Sequence, residues 1–179
     1  IISKLLFDEL KIDILRIRNC VPIDQSFNYN TDILFGNSSE NYTVNMLNNV
    51  INIGKSYRDF KIMLVSWTPP NYLKSNNDKT GGTLKYTDIS GFDYEDYAHW
   101  WYNSVEYFTD TLNIDIDYIS IQNEPNWFSN YYGSCIFAPY EIINNDISFS
   151  LQNTEETTNL AGYNEAFNAV WEKFAIEDR

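Results

Sequence analysis

The chain has 179 residues, of which 44% are hydrophobic and 17% aromatic, enough to bury a substantial core. Its 25 acidic and 12 basic side chains give a net charge of -13, so the long-range field repels phosphate backbones and anionic membranes. No apolar run approaches the roughly 20 residues that a membrane-spanning helix needs, and residues Ile1 to Leu10 show no export signal. We therefore expect neither a nucleic-acid partner nor a membrane partner.

The first half of the chain predicts a strand, a helix and a second strand. Apolar residues dominate from Ile12 to Ile17, which predicts a short strand that is buried on both sides. From Glu40 to Tyr57 the apolar residues recur at helical spacing. The continuous apolar run from Ile62 to Val65 predicts the second strand, because the two prolines that follow cannot continue a central strand.

The second half repeats this pattern after a long polar segment from Asn71 to Gly91, where functional loops of α/β folds lie. Helical spacing from Tyr94 to Leu112 predicts a helix that can cover a sheet. The residues from Ile116 to Ile121 predict a third strand. An irregular segment from Asn126 to Thr158 then leads to a final amphipathic helix from Leu160 to Phe174.

Alternating strands and helices with buried strands predict parallel pairing and right-handed crossovers. Two architectures fit this order, a doubly wound sheet and a piece of a (β/α)8 barrel. No glycine-rich phosphate-binding turn follows any strand, which disfavours a nucleotide-binding sheet. The residues after the strands are Arg18-Asn19, Trp67 and Asn123-Glu124, which are typical of a sugar cleft at the carboxyl face of a barrel. We therefore predict an α/β fold that is a partial barrel.

Glu124 is the residue best placed for chemistry. Glycosidic cleavage needs a carboxylic acid that protonates the departing oxygen and a second carboxylate that attacks or activates water. Glu124 follows an apolar strand, Asn123 precedes it, and Pro125 ends the strand. Because a proton donor must stay protonated near neutral pH, we expect its carboxyl group in apolar surroundings or beside a negative partner. The alternative, a strand-end carboxylate without a catalytic role, is favoured for an arbitrary Asn-Glu-Pro tripeptide.

Four stretches together resemble glycoside hydrolase family 30, a family within the large clan of retaining glycosidase barrels. They agree with the family in order and spacing from about Leu5 to Phe174. The stretches are Leu15–Arg18, Ser66–Pro70 with Leu73–Asn76, Gly81–Lys85 and Tyr118–Trp127. The resemblance implies that residues 1–179 are one partial catalytic barrel of about three βα units, strands two to four, incomplete at both ends. The nucleophile, on the seventh strand, would lie outside this chain.

The family's site residues match positions of this sequence one by one. The resemblance implies that Glu124 is the acid/base and that Asn123 holds the sugar 2-hydroxyl. It also implies that Arg16 orients the nucleophile and that Trp67 walls the sugar subsite. Core packing of Trp67 and a structural ion pair of Arg16 are the alternatives.

The substrate is predicted from the residues after the acid. Trp127 and Tyr131 lie in that loop and could stack on a sugar face, although the chain has five Trp and fourteen Tyr. Trp127 and Tyr132–Cys135 look more like the xylan-cleaving members, which implies β-1,4-xylan or glucuronoxylan as the polysaccharide substrate. Glucosylceramide, β-1,6-glucan and β-1,6-galactan are the alternatives within the family. A non-catalytic carbohydrate-binding remnant is the alternative of another class.

Other expectations follow from the reaction and from single residues. Two carboxylates and water suffice for the reaction, so no cofactor and no metal are expected, and a polymeric substrate implies an extracellular location. Because it lacks the nucleophile, the 179-residue chain alone is expected to be inactive. Cys20 and Cys135 are expected as two buried thiols, with one disulfide as the alternative. His99 is expected to have a surface or packing role, and sequons begin at Asn37 and Asn41.

Overall fold

A computed structural model describes residues 2–19, 44–87, 91–125, 127, 129–137 and 161–177. The three predicted strands and three predicted helices are present in the predicted order, together with shorter elements. In chain order they are a π-helix Lys4–Glu9, β1 Ile14–Asn19, α1 Val44–Lys55, β2 Lys61–Ser66, a 3-10 helix Asn71–Leu73, β3 Tyr86–Thr87, β4 Gly91–Phe92, α2 Tyr94–Glu106, a π-helix Tyr107–Thr111, β5 Tyr118–Ser120 and α3 Ala161–Glu177. The chain divides into two compact units, Ile1–Ser66 with Asn103–Ser120 and Trp67–Tyr102 with Ile121–Arg179.

The first unit contains a three-stranded parallel sheet in the order β1, β2, β5. Ile14 pairs with Lys61 at the start of β1, and Met63 pairs with Tyr118 at the start of β5. The predicted parallel pairing is therefore confirmed. Because parallel strands point the same way, the carboxyl ends of all three lie at one edge of the sheet.

Burial differs between the central and the outer strand. Ile62, Leu64 and Val65 of β2 are fully buried, as the apolar run predicts. In β1 the prediction of burial on both sides is wrong, because Ile14 is 48% exposed while Ile17 is buried. The physical reason is that, in the part of the chain described, β1 has a strand neighbour on one side only.

An aromatic contact packs α1 against the amino-terminal π-helix. A Cβ atom built on Gly54 would lie 2.6 Å from the ring of Phe7, so only glycine allows this approach. The ring of Phe7 in turn stacks on that of Phe60, with centroids 4.4 Å apart. Both phenylalanines are buried, so this cluster is a core of the first unit.

Ion pairs tie together the amino ends of the three strands. The ammonium of Lys61 lies 2.6 Å from the Asp117 carboxylate, which also accepts a hydrogen bond from the Ile62 amide at 2.9 Å. The carboxylate of Asp13 pairs with the guanidinium of Arg58 at 2.9 Å. Asp117 raises the pKa of Lys61 through the hydrogen bond and charge, and Lys61 correspondingly lowers the pKa of Asp117.

The second unit is built around aromatic residues of α2. Tyr97, Trp100 and Trp101 are fully buried, and the ring of Phe137 lies 5.4 Å from that of Tyr97. The segment predicted as a long polar loop contains more structure than expected, since β3 and β4 pair as a short antiparallel hairpin. The helix predicted to reach Leu112 ends its α-helical part at Glu106 and continues as a π-helix.

The last helix, α3, is where predicted, but its apolar face is only partly covered. Ala166 and Val170 are buried, whereas Trp171 is 67% exposed and stacks on Phe167 with centroids 6.5 Å apart. The ring of Tyr102 contacts that of Phe174 at 5.4 Å. Among the described residues, no helix is long and apolar enough to cross a membrane.

Candidate active site

Glu124 lies in a turn four residues after the end of β5. The turn is anchored by Ile121, whose side chain is buried and whose carbonyl accepts a hydrogen bond from the Tyr97 hydroxyl. Tyr97 is itself fully buried in α2. The buried side chain of Ile121 and the buried hydroxyl of Tyr97 thus fix the backbone three residues before Glu124.

The backbone of Glu124 adopts the left-handed conformation, with φ of 47°. Its carbonyl accepts a hydrogen bond from the Trp127 amide at 2.9 Å, which closes the turn. A left-handed conformation at a residue other than glycine costs roughly 1–3 kcal/mol and is concentrated at functional sites. The amide Nδ2 of Asn123 donates to Oε2 of Glu124 at 3.3 Å, so the two predicted residues are adjacent in space as well as in sequence.

The predicted shelter around the Glu124 carboxyl group is wrong for this structure. The side chain of Glu124 is exposed, and that of Asn123 is half-buried. The sequence places Glu124 at the lip of a strand, but β5 ends at Ser120. The carboxylate reaches solvent from the turn.

Gln122 links this turn to the loop that follows β2. Its side chain is buried, and Nε2 donates to the carbonyl of Trp67 at 2.8 Å and to the carbonyl of Asn123 at 3.1 Å. A buried amide that bonds two backbone carbonyls fixes both segments, because an unmade hydrogen bond there would cost about 1–3 kcal/mol. Gln122 belongs to the same motif as Glu124, but nothing in the sequence alone indicates this linking role.

The rings of Trp67 and Tyr132 form an edge-to-face pair, with centroids 6.0 Å apart and an angle of 68°. Trp67 is half-buried, so it is neither a core residue nor fully open. Beside the pair, a Cβ atom on Gly133 would lie 2.8 Å from Cγ2 of Thr68. In the sequence Tyr132 is only part of a stretch that resembles the family, and the structure adds its contact with Trp67.

Backbone contacts join the loop after β2 to the loop after Glu124. Isolated β-bridges pair Thr80 with Gly133 and Thr83 with Ile136. The hydroxyl of Ser134 accepts hydrogen bonds from the amides of Gly81 at 2.9 Å and Ser129 at 3.2 Å. The two loops therefore form one hydrogen-bonded layer.

Two buried titratable groups lie within this layer. Burial lowers the pKa of Lys74 to about 8, against smaller opposing effects of Cys135 and Asp78. Burial raises the pKa of the Cys135 thiol to about 12, so it is neutral at physiological pH. Cys135 is a buried free thiol, as predicted, and Cys20 lies outside the described residues.

The remaining predicted residues differ in their surroundings. Arg16 lies in the middle of β1 in the first unit, with its side chain exposed, so its predicted role toward the nucleophile stays a prediction. Trp127 is 57% and Tyr131 88% exposed in the loop after Glu124, where a ligand can reach them. His99 is exposed on α2, with Nε2 4.0 Å from a Glu95 carboxylate oxygen, as expected of a surface residue. The sequons lie outside the described residues.

No protein-family model matches the sequence, and no curated protein matches it. Among solved structures, the chain is similar to the glycoside hydrolase family 30 subfamily 8 xylanase Xyn30A from Clostridium acetobutylicum. That match has a TM-score of 0.54 and 27% identity, and it covers 76% of this chain and 31% of the xylanase. The predicted resemblance to glycoside hydrolase family 30 is confirmed.

Two further family-level matches show the fold alone, because their identities are low. The catalytic domain of family 30 xylanase C from Talaromyces cellulolyticus gives a TM-score of 0.61 at 18% identity, over 98% of this chain and 38% of that domain. The endo-β-1,6-glucanase BT3312 gives a TM-score of 0.50 at 21% identity, over 76% of this chain and 32% of the glucanase. The chain thus spans about a third of the length of these enzymes.

Proposed function

We propose that residues 1–179 are the acid/base-bearing part of a retaining glycoside hydrolase of family 30 type. In this proposal β1, β2 and β5 are the second, third and fourth strands of a (β/α)8 barrel. Their parallel pairing in sequence order and the turn after the last of them support it. The observation that carries the proposal is Glu124, which is held in a left-handed turn and hydrogen-bonded by Asn123.

The proposed mechanism assigns one proton to Glu124. The carboxyl group protonates the departing glycosidic oxygen, and the same group as a carboxylate then removes a proton from the attacking water. Asn123 binds the 2-hydroxyl of the sugar, and Trp67 and Tyr132 line the subsite that holds the sugar ring. The second carboxylate attacks the anomeric carbon from a position about 5 Å from Glu124, supplied by a segment outside this chain.

The proposed substrate is β-1,4-xylan or glucuronoxylan. The 27% identity to a subfamily 8 xylanase supports it, as does the exposure of Trp127 and Tyr131 in the loop after Glu124. A β-1,6-glucan is the second candidate, because an endo-β-1,6-glucanase shares the fold. A polymeric substrate makes an extracellular protein part of the proposal, and the reaction itself needs no cofactor.

The test uses the full-length protein with glucuronoxylan and with β-1,6-glucan as separate substrates. We expect reducing ends from glucuronoxylan, with retention of anomeric configuration in the first product, and a rate roughly 10³-fold lower after the substitution Glu124→Gln. Residues 1–179 alone should release none. A rate that Glu124→Gln leaves unchanged would contradict the proposal. A full-length protein that binds glycans without cleaving them would also contradict it and would favour a non-catalytic carbohydrate-binding protein.

A further inference from the structure

Lys74 is buried in the layer formed by the two loops, immediately after the 3-10 helix Asn71–Leu73. Only 1% of the residue is exposed. Lysines are almost never fully buried unless their charge is paired, because removing an ammonium from water is costly. The burial of Lys74 therefore needs a reason beyond the filling of space.

The ammonium of Lys74 bonds to both loops. Nζ donates to the hydroxyl oxygen of Thr68 at 3.1 Å and to the carbonyl oxygen of Ser134 at 2.5 Å. Thr68 is the residue after Trp67, and Ser134 is two residues after Tyr132. The lysine thus ties the backbone on one side of the aromatic pair to the backbone on the other.

The contacts around Lys74 make this tie specific. The hydroxyl of Ser134 is already engaged with the amides of Gly81 and Ser129, so its carbonyl cannot shift independently of the loop. The methyl group of Thr68 lies against Gly133, where a Cβ atom would be 2.8 Å away. Moving either acceptor would therefore move the segment that carries Trp67 or the one that carries Tyr132.

We propose that Lys74 is a positioning residue that holds Trp67 and Tyr132 in the arrangement that binds a sugar ring next to Glu124. This inference rests on the proposed function. It extends that function because a buried lysine that touches no substrate would fix the positions of the two aromatic rings that contact the sugar.

The test compares Lys74→Met with the wild type in the full-length protein. Methionine fills a similar volume and removes the donors. For glucuronoxylan we expect KM to rise about tenfold while kcat changes much less, because binding that is equal in ground state and transition state is lost. We also expect faster hydrogen exchange in the peptide 129–137, measured by mass spectrometry.

The matched control is Lys61→Met, which breaks an ion pair in the first unit and should leave KM and the exchange of peptide 129–137 unchanged. If Lys74→Met does not fold, Thr68→Val takes its place, since it removes one acceptor at constant shape. We expect Thr68→Val to raise KM and Thr68→Ser, which keeps the hydroxyl, to behave as the wild type.

Three results would overturn the inference. If the wild type is active and Lys74→Met has the same KM as the wild type, the positioning role alone is rejected. The same holds for Thr68→Val where that variant replaces Lys74→Met. Equal effects of Lys74→Met and Lys61→Met reduce Lys74 to a general contribution to stability. A full-length wild type without hydrolase activity on glucuronoxylan and β-1,6-glucan rejects the proposed function, and the positioning role falls with it.

Discussion

Polar side chains serve two different purposes in the two units of this chain. At the amino ends of the strands, Lys61 with Asp117 and Arg58 with Asp13 form ion pairs at which at least one partner is well exposed. In the second unit, Gln122 and Lys74 are buried and bond mainly to backbone carbonyls. Exposed pairs contribute little to stability, whereas buried polar groups that are hydrogen-bonded fix one geometry, so Gln122 and Lys74 constrain the second unit more than these ion pairs constrain the first.

The sharpest test of this contrast replaces one carboxylate in each unit. We expect Glu124→Gln to lower kcat on glucuronoxylan by roughly 10³-fold, the size of general acid–base catalysis. The loss should be smaller for the glycosylation step of an aryl glycoside whose phenol leaves without protonation. Asp117→Asn should leave both kcat on glucuronoxylan and the glycosylation rate on the aryl glycoside unchanged. Equal losses from the two substitutions would remove the distinction between the units.

The pH dependence of stability should reveal the buried lysine. Because the pKa of Lys74 falls to about 8 in the folded state, the unfolded state binds the additional proton between pH 8 and 10.5. The stability of the wild type should therefore rise with pH across this window relative to Lys74→Met, by up to roughly 3 kcal/mol.

Urea unfolding of the full-length protein at several pH values measures this difference. Asp78 and Cys135, the other titratable groups that affect Lys74, are present in both proteins, so their own titration cancels to first order. A difference that stays constant from pH 8 to 10.5 would show that the lysine is not held in a desolvated site.

Two glycines allow the units to be compared with the same substitution. Gly54→Ala forces Cβ against the buried ring of Phe7, and Gly133→Ala forces it against Thr68. Each should lower the free energy of unfolding by about 1–3 kcal/mol. Only Gly133→Ala should also raise KM, and adding Thr68→Ser should reverse that rise. A raised KM in Gly54→Ala would show that the sugar site responds to any loss of packing.

The smallest expected effect is at the exposed ion pair. Lys61→Met should lower the thermal midpoint slightly at low ionic strength, because the favourable charge interaction with Asp117 is lost. At 1 M salt the Debye length is roughly 3 Å, so the difference from the wild type should disappear. A difference that persists at high salt would indicate that the lysine stem contributes by packing.

The sequence predicts those parts of the fold that leave a periodic apolar signal. β2 is predicted closely because Ile62, Leu64 and Val65 are all buried. The hairpin of β3 and β4 is missed because strands of two residues show no alternation. Ile14 was placed in the core because an apolar run does not tell how many neighbours a strand has.

The site is predicted only as far as its motif extends. Asn123 and Glu124 follow from Asn-Glu-Pro after a strand, and their contact agrees with this. The left-handed backbone of Glu124 could not be predicted, because glutamate rarely adopts it. Gln122 and Lys74 belong to stretches that resemble the family, but only three-dimensional contacts show them as buried links.

The left-handed turn sets stability in opposition to the activity proposed for Glu124. Glycine adopts a φ of 47° without strain, whereas glutamate does so at a cost. Selection for thermal tolerance alone would therefore favour glycine at position 124, and only selection for chemistry retains the carboxyl group. Directed evolution of a heat-resistant variant must consequently keep an activity screen in every round, or the proposed proton donor is among the first residues to be lost.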